Sequence, residues 1–323
     1  MNKSTVVISL DFELHWGRFD KYPLEPNLAY YKATRAAIPK ILDLFAQYDI
    51  HATWATVGML MAESREEWEH YSPDVKPSFT NQLYSAYSWM KAQPRIFNEA
   101  LFAPELVKLV LDTPNQELGS HSFSHYYTMA KGQRLEEWEA DLVAANRIAW
   151  EKFQHIHYSL VFPRNQYSKK SLEIASEQGF GAVRTNPSDW FWKQVENENL
   201  IKKIFRTGDT LFPLGNRTSY SEVRNGEFLV HLPASRLLRP FRSGSFFNQR
   251  RIARIKEEID TAINLGEMYH LWWHPHNFGH YPNENLQILE TLLAWIKGRM
   301  ETHGLESKNM KETAEIIRKE IFI

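Results

Sequence analysis

Strand-like and helix-like hydrophobic patterns alternate along the chain from its start. "TVVISLDF" (5–12) is a β-branched apolar run of the length a buried strand needs, and "NLAYYKATRAAIPKILDLFAQYD" (27–49) follows with apolar residues at helical spacing. Pro39 sits inside that helical stretch and is expected to kink it. The succession continues with "HATWATVG" (51–58) as strand, "PELVKLVLDT" (104–113) as helix, "QELGSHS" (116–122) as short strand and "LEEWEADLVAANRIAWEKF" (135–153) as helix. "YSLVFP" (158–163) and "GAVRTN" (181–186) read as strands around the helical "SKKSLEIASEQG" (168–179), which Gly179 would stop. The last third repeats the pattern: "EFLVHLPAS" (227–235) and "MYHLWWHP" (268–275) as strands, "NQRRIARIKEEIDTAINLG" (248–266) and "NENLQILETLLAWIKGRM" (283–300) as helices. Roughly seven strands joined by crossover helices predict a mostly parallel α/β sheet, closed or nearly closed into a barrel.

The 323-residue length suits a single barrel domain over 1–323. Two stretches without clear periodicity, about 60–100 and 186–226, read as insertions after strands, where such folds build their active-site face. No internal repeat or low-complexity linker breaks the chain.

Composition narrows the chemistry. The absence of cysteine removes disulfides, thiolate metal sites and a cysteine nucleophile. A net charge of −1 gives no reason to expect nucleic acid as a partner. No apolar run approaches the roughly 18 residues of a membrane span, and no apolar leader follows "MNKST", so the expected location is cytoplasmic. Neither a glycine-rich phosphate loop nor a serine nucleophile elbow is present, which disfavours kinase, dinucleotide and serine-hydrolase readings.

The remaining chemistry sits at strand ends. The first strand runs into Asp11 and Glu13, and burying carboxylates is costly unless something is bound there. Of three HxxxH pairs, His121/His125, His270/His274 and His276/His280, the first follows a short strand in the turn-forming "ELGSHSFSH". A helical turn after His121 would put both rings on one side, and two imidazoles with a carboxylate from elsewhere make a three-ligand catalytic zinc set. Asp11/Glu13, His121/His125, Arg164 in "VFPRNQ" and His274 in "LWWHPHNFG" all stand at C-terminal strand ends, which open on one face of a parallel barrel. His15 reads as a hydrogen-bonded residue, and His270 as a structural one deeper in the barrel.

In motif order the chain resembles the polysaccharide deacetylases of the NodB-homology type, carbohydrate esterase family 4. "SLDFE" is similar to the family's first motif, which implies Asp11 as catalytic base and Glu13 as metal ligand, with Phe12 where many members carry the second carboxylate. "HSFSH" matches the two-histidine motif and implies metal ligation by His121 and His125. "FPRNQYS" resembles the third motif, which implies that Arg164 orients the base and holds it ionised. "NPSDW" resembles the fourth with Asp189 and Trp190, and His274 in "HLWWHPH" resembles the general acid, His276 being the rival for that role. The resemblance implies a distorted (β/α)7-type barrel and a divalent metal, zinc by preference. The activity it implies is hydrolysis of an N-acyl group, N-acetyl first, from an amino sugar or glycan precursor.

Trp16, Trp190, His276 and Arg239 are the candidate substrate contacts, the tryptophans as faces on which a sugar ring stacks. Between Arg236 and Lys256 stand seven cations and no carboxylate, interleaved with Leu and Phe, a mixture suited to a phosphate-bearing or lipid-linked sugar and to peripheral membrane contact. A deformylase or other amidase of the same shape, and a glycan-binding protein without turnover, are the competing readings.

Overall fold

The computed structural model describes residues 3–321, apart from 188, 193–199, 213, 216–217 and 222–225. Nine parallel-paired strands form one sheet: β1 (Thr5–Phe12), β2 (Ala52–Thr56), β3 (Gln116–Ser120), β4 (Ser159–Val161), β5 (Ala182–Thr185), β6 (Val230–Pro233), β7 (Arg236–Leu237), β8 (Met268–Trp273) and β9 (Glu306–Lys308). Their order is β6-β5-β4-β3-β2-β1-β8-β7, with β9 beside the start of β1. β6 and β7 are two halves of one bent stretch. Its first half pairs with β5 and its second with β8, and at the bend the Ala234 amide donates to Thr185 while the Ser235 amide donates to His270. The curved sheet is thereby drawn into a distorted (β/α)7 barrel, as the alternation of patterns predicts.

Period-two alternation sorts the side chains. On β1, Val6, Ile8, Leu10 and Phe12 face the surrounding helices and join the large outer core with Tyr269, Leu271 and Trp273 of β8. Val7 faces inward with Ala55, Val161, Ala182, Val230 and Leu232, and this interior cluster is plugged by Met310 and Ala314 of the Met310–Ile321 helix. That helix and β9 lie beyond the last element expected from the sequence. Above Val7 on the same face of β1 come Ser9, Asp11 and Glu13, so the interior turns from apolar to charged toward the C-terminal ends of the strands.

The helices form close to the expected places, with Leu135–Phe153 matching residue for residue. The helix Leu28–Tyr48 continues without interruption through Pro39. Gly179 does end its helix, at φ +90°, a conformation side chains other than glycine rarely adopt. No helix among the described residues is long and apolar enough to cross a membrane.

Candidate active site and metal centre

A cavity of about 1200 Å³ opens at the C-terminal ends of the strands, lined by Asp11, Glu13, His121, His125 and His274. Both stretches expected as insertions contribute to its walls, the first through Asn81, Leu83 and Tyr84 and the second through Asn186, Trp192 and Arg206.

Glu13 is at the centre. The chain leaves β1 through Leu14 at φ +43° and turns back so that Gly17 lies against the Glu13 carboxyl; a Cβ at Gly17 would stand 1.9 Å from it. Only glycine leaves room for that carboxylate. Glu13 Oε2 lies 3.3 Å from His121 Nε2 and 3.1 Å from His125 Nε2, and the three side chains are buried with ligand atoms all within 4.8 Å of one another. Burial alone would raise the Glu13 pKa, but the charge of His274 and the two imidazoles hold it well below the ordinary value.

The histidine pair meets differently from the expectation. Residues 121–125 are not helical: Ser122 (φ +63°) and His125 (φ +55°) are left-handed and fold a tight loop. Buried Asp141 holds that loop by accepting from the amides of Phe123 (2.7 Å) and Ser124 (3.1 Å) and from the Ser124 hydroxyl. Burial pushes the Asp141 carboxyl up to about 6 despite those donors.

This arrangement fits a divalent cation. His121 Nδ1 is 2.7 Å from the Val161 carbonyl, which only accepts, so that nitrogen carries a proton, and in the neutral imidazole it is Nε2 that presents a lone pair toward Glu13. A lone pair facing a carboxylate oxygen at 3.3 Å in a buried site calls for a positive charge between them. Two imidazole nitrogens and one carboxylate oxygen form the donor set of catalytic zinc sites, and the carbonyl behind His121 is the outer partner that fixes such a ligand.

Asp11 is gripped by a different arginine from the one expected. Arg184 of β5, fully buried, donates Nη1 to Oδ1 and Nη2 to Oδ2 of Asp11, each at 2.7 Å. Its remaining donors go to Ser9 Oγ (3.0 Å) and to Asn165 Oδ1 (2.9 and 3.2 Å), and the guanidinium lies 4.3 Å over the Trp272 ring. Ser9 in turn meets His270 Nε2 at 2.8 Å, the structural role expected of His270. Burial would raise Asp11, yet Arg184, His121 and His274 outweigh it and keep the carboxyl below its ordinary value.

Arg164, expected in that position, lines the cavity but pairs with Asp20 and lies 3.7 Å over the Tyr127 ring. The reason is local. Arg164 and Asn165 are both left-handed, at φ +57° and +52°, and the turn they make sends Arg164 to the rim while Asn165 points back to Arg184.

His274 reaches the cavity, with Nε2 3.6 Å from both Asp11 Oδ2 and Glu13 Oε1 and a quarter of its side chain exposed. His276 lies behind it, buried, with Nδ1 3.6 Å from Glu13 Oε1 and its pKa pushed by burial down to about 3. It is not among the residues that line the cavity, where the sequence reading expected it as a substrate contact. Trp16 is likewise not a sugar platform: it is fully buried, and its Nε1 donates to the Leu101 carbonyl at 2.7 Å. Trp190 is half-exposed, packed against Phe191 and Phe205, while Trp192 and Trp272 are the tryptophans in the cavity wall. Asp189 beside it is buried. Arg239 does line the cavity, and His15 is buried on Tyr31 OH at 2.8 Å, as expected of a hydrogen-bonded histidine.

The polysaccharide deacetylase family model matches residues 18–183, half of the chain. The protein belongs to the polysaccharide deacetylase family. Asp11 and Glu13 precede the matched span and Arg184 and His274 follow it, so much of the cavity wall is assembled from outside the matched residues.

Among solved structures, a protein of Mycobacterium smegmatis assigned as a polysaccharide deacetylase shares the fold with a TM-score of 0.63 at 13% identity, over 99% of this chain and 91% of that one. A protein from Pseudomonas aeruginosa PAO1 with the same assignment reaches 0.57 at 12% identity, over 97% and 89%. The Puue allantoinase reaches 0.55 at 12% identity, also over 97% and 89%. No curated protein sequence matches the chain significantly.

Proposed function

We propose that the protein is a metal-dependent hydrolase that removes an N-acyl group, N-acetyl first, from an amino sugar. The observation that carries this reading is the meeting of Glu13, His121 and His125 beside Asp11 in one cavity, with the Val161 carbonyl holding the Nδ1 side of His121 so that Nε2 is the nitrogen turned toward Glu13. These three residues would hold the divalent cation, zinc by preference, which when bound acidifies water and polarises an acyl carbonyl.

The chain's own residues divide the proton work. Asp11, kept ionised by Arg184, takes the proton that water gives up as its oxygen attacks the acyl carbon. His274, at the cavity wall, gives a proton to the nitrogen as the carbon–nitrogen bond breaks, so a carboxylate and an amine leave. Trp272 and Trp192 offer apolar faces for the sugar ring.

The test joins metal content after exhaustive dialysis with amine release from N-acetyl and N-formyl amino sugars. The wild type is expected to keep one metal per chain and release amine from the N-acetyl series. Asp11→Asn should keep the metal and lose about 10²–10⁴-fold in turnover. A metal-loaded wild type that releases nothing from a broad panel would overturn the hydrolase, and preference for the N-formyl series would shift the acyl group.

A further inference from the structure

The arginines beside the cavity fall into two groups. Arg236 is neutralised by Glu258, with Nε 2.8 Å from Oε2, and by Asp209 Oδ2 at 3.1 Å, and Arg254 shares Glu258 at 3.1 Å. Arg250 pairs with Glu257 at 2.8 Å. Arg239, Arg242 and Arg251 have no carboxylate partner among the described residues. Arg239 Nε and Arg251 Nε and Nη1 are moreover buried donors with no hydrogen-bond acceptor. Burial, together with the charges of Arg251, Arg242 and Arg236, pushes Arg239 down to about 10. Two guanidiniums with buried, unsatisfied donors, beside the exposed Arg242 and with no counter-charge among the described residues, form an arrangement that an anion stabilises.

Their position ties them to the cleft. Leu237 of β7 stands opposite Trp272 of β8, and the Leu238 amide donates to the Trp272 carbonyl at 2.8 Å, so Arg239 leaves the sheet at the level of His274. Leu237, Arg239, Trp272 and His274 line the catalytic cavity from two adjacent strands. Arg239 also belongs to the wall of a second, smaller pocket with Arg251 and Asn248. Asn248 fixes the loop that carries Arg242, accepting from its amide at 3.2 Å and donating to its carbonyl at 2.7 Å.

We infer that Arg239, backed by Arg251 and flanked by Arg242, is an anion subsite of the cleft that receives a phosphate group carried by the amino sugar. The inference rests on the deacetylase reading for its sugar, not for its anion. A phosphate monoester or diester offers several acceptor oxygens to forked donors, which a hydroxyl-only glycan does not. The phosphate could belong to a small sugar phosphate, a nucleoside-diphosphate sugar or a lipid-linked sugar, which share this chemistry.

The experiment compares N-acetylglucosamine 1-phosphate with N-acetylglucosamine on wild type, R239A, R239K and R251A, alongside calorimetric binding of inorganic phosphate to each metal-loaded protein. In the wild type the phosphorylated sugar should have the lower KM. R239A and R251A should each raise that KM roughly ten- to a hundred-fold with a smaller change in kcat, collapse the preference between the two sugars and weaken phosphate binding. R239K should fall between, because it keeps the charge and loses the fork. Equal effects on both sugars, or phosphate binding unchanged in R239A and R251A, would overturn the subsite while leaving the deacetylase standing. Phosphate binding that depends on Arg239 without turnover of any sugar would keep the subsite and remove the deacetylase. Nucleoside-diphosphate and detergent-dispersed prenyl-diphosphate forms of the same sugar identify the source by which has the lowest KM.

Discussion

Two buried glutamates at opposite ends of the same barrel have opposite fates. Glu13, at the mouth, is surrounded by His121, His125, His274 and His276, and its carboxyl is held well below the ordinary glutamate value. Glu117, on the floor, accepts from Thr53 Oγ1 at 2.6 Å and from the Lys311 amide at 3.0 Å, and burial raises it above 4.5. One strand serves both ends: β3 carries Glu117 near its start and leads into His121 four residues later, about 13 Å along the same face. Burial of a charge is common to the two. What separates them is the partner: imidazole nitrogens around Glu13, hydroxyl and amide donors around Glu117. The first environment asks for a cation and the second is content with a proton.

The largest expected effect breaks the mouth. Glu13→Gln keeps the shape and removes the charge, so metal affinity should fall by more than about a hundred-fold, since loss of an outer partner alone costs 10- to 100-fold. Amine release should fall with it, and metal analysis after dialysis, read beside activity, checks this. Full metal retention by this variant would mean that Glu13 is not a ligand and that the contrast with Glu117 has no chemical content.

The next effect is smaller and sharpens the mouth itself. Asp11 lies below its ordinary 3.8 because Arg184 and the histidines outweigh burial. Arg184→Lys keeps a cation but cannot bridge both oxygens, so the Asp11 pKa should rise. A base must be ionised to act, so the acidic limb of the pH–rate profile moves to higher pH, and kcat at neutral pH drops roughly ten-fold. Arg164→Lys, which alters the pair with Asp20, should leave that limb where it is. If the limb moves with Arg164 and not with Arg184, the assignment of the two arginines is reversed.

That pair of arginines also marks how far the sequence can be read. Strand and helix alternation, the carboxylates after β1 and the histidine pair are legible because period-two and period-3.6 patterns and strand-end positions follow from local chemistry. Arg164 looked right by motif order, but two successive left-handed residues, invisible in the letters, turn it to the rim. Arg184 left a signal nonetheless: a cation inside "AVRT", a strand otherwise apolar or small, needs a buried counter-charge. Trp16 and Trp190 failed for a related reason, since whether an indole faces the cavity or the core depends on how the insertions fold over it. The floor helix Met310–Ile321 escapes the pattern because, among its described residues, Met310 and Ala314 are the buried apolar ones, beside buried Thr313, too little apolar surface to stand out from its charged neighbours.

Glu117→Gln is the smallest effect and the one that isolates the floor. A carboxyl whose folded pKa is raised binds its proton more tightly in the folded chain than in the unfolded one. Its contribution is therefore complete below about 4.5 and is lost as pH rises through the higher folded value. The glutamine oxygen can still accept from Thr53 and Lys311, while its amide stands where Glu117 Oε1 lacks a partner. Below pH 4.5 the two proteins should unfold at nearly the same denaturant concentration. With rising pH the wild type should fall behind the variant, by about 1 kcal/mol, the scale of one imperfectly satisfied buried group. Metal content and amine release should not change, because nothing on the floor reaches the cavity. Loss of metal in this variant would make the two ends one coupled unit, and a wild type that gains on the variant with rising pH would mean that Glu117 is held ionised, as Glu13 is.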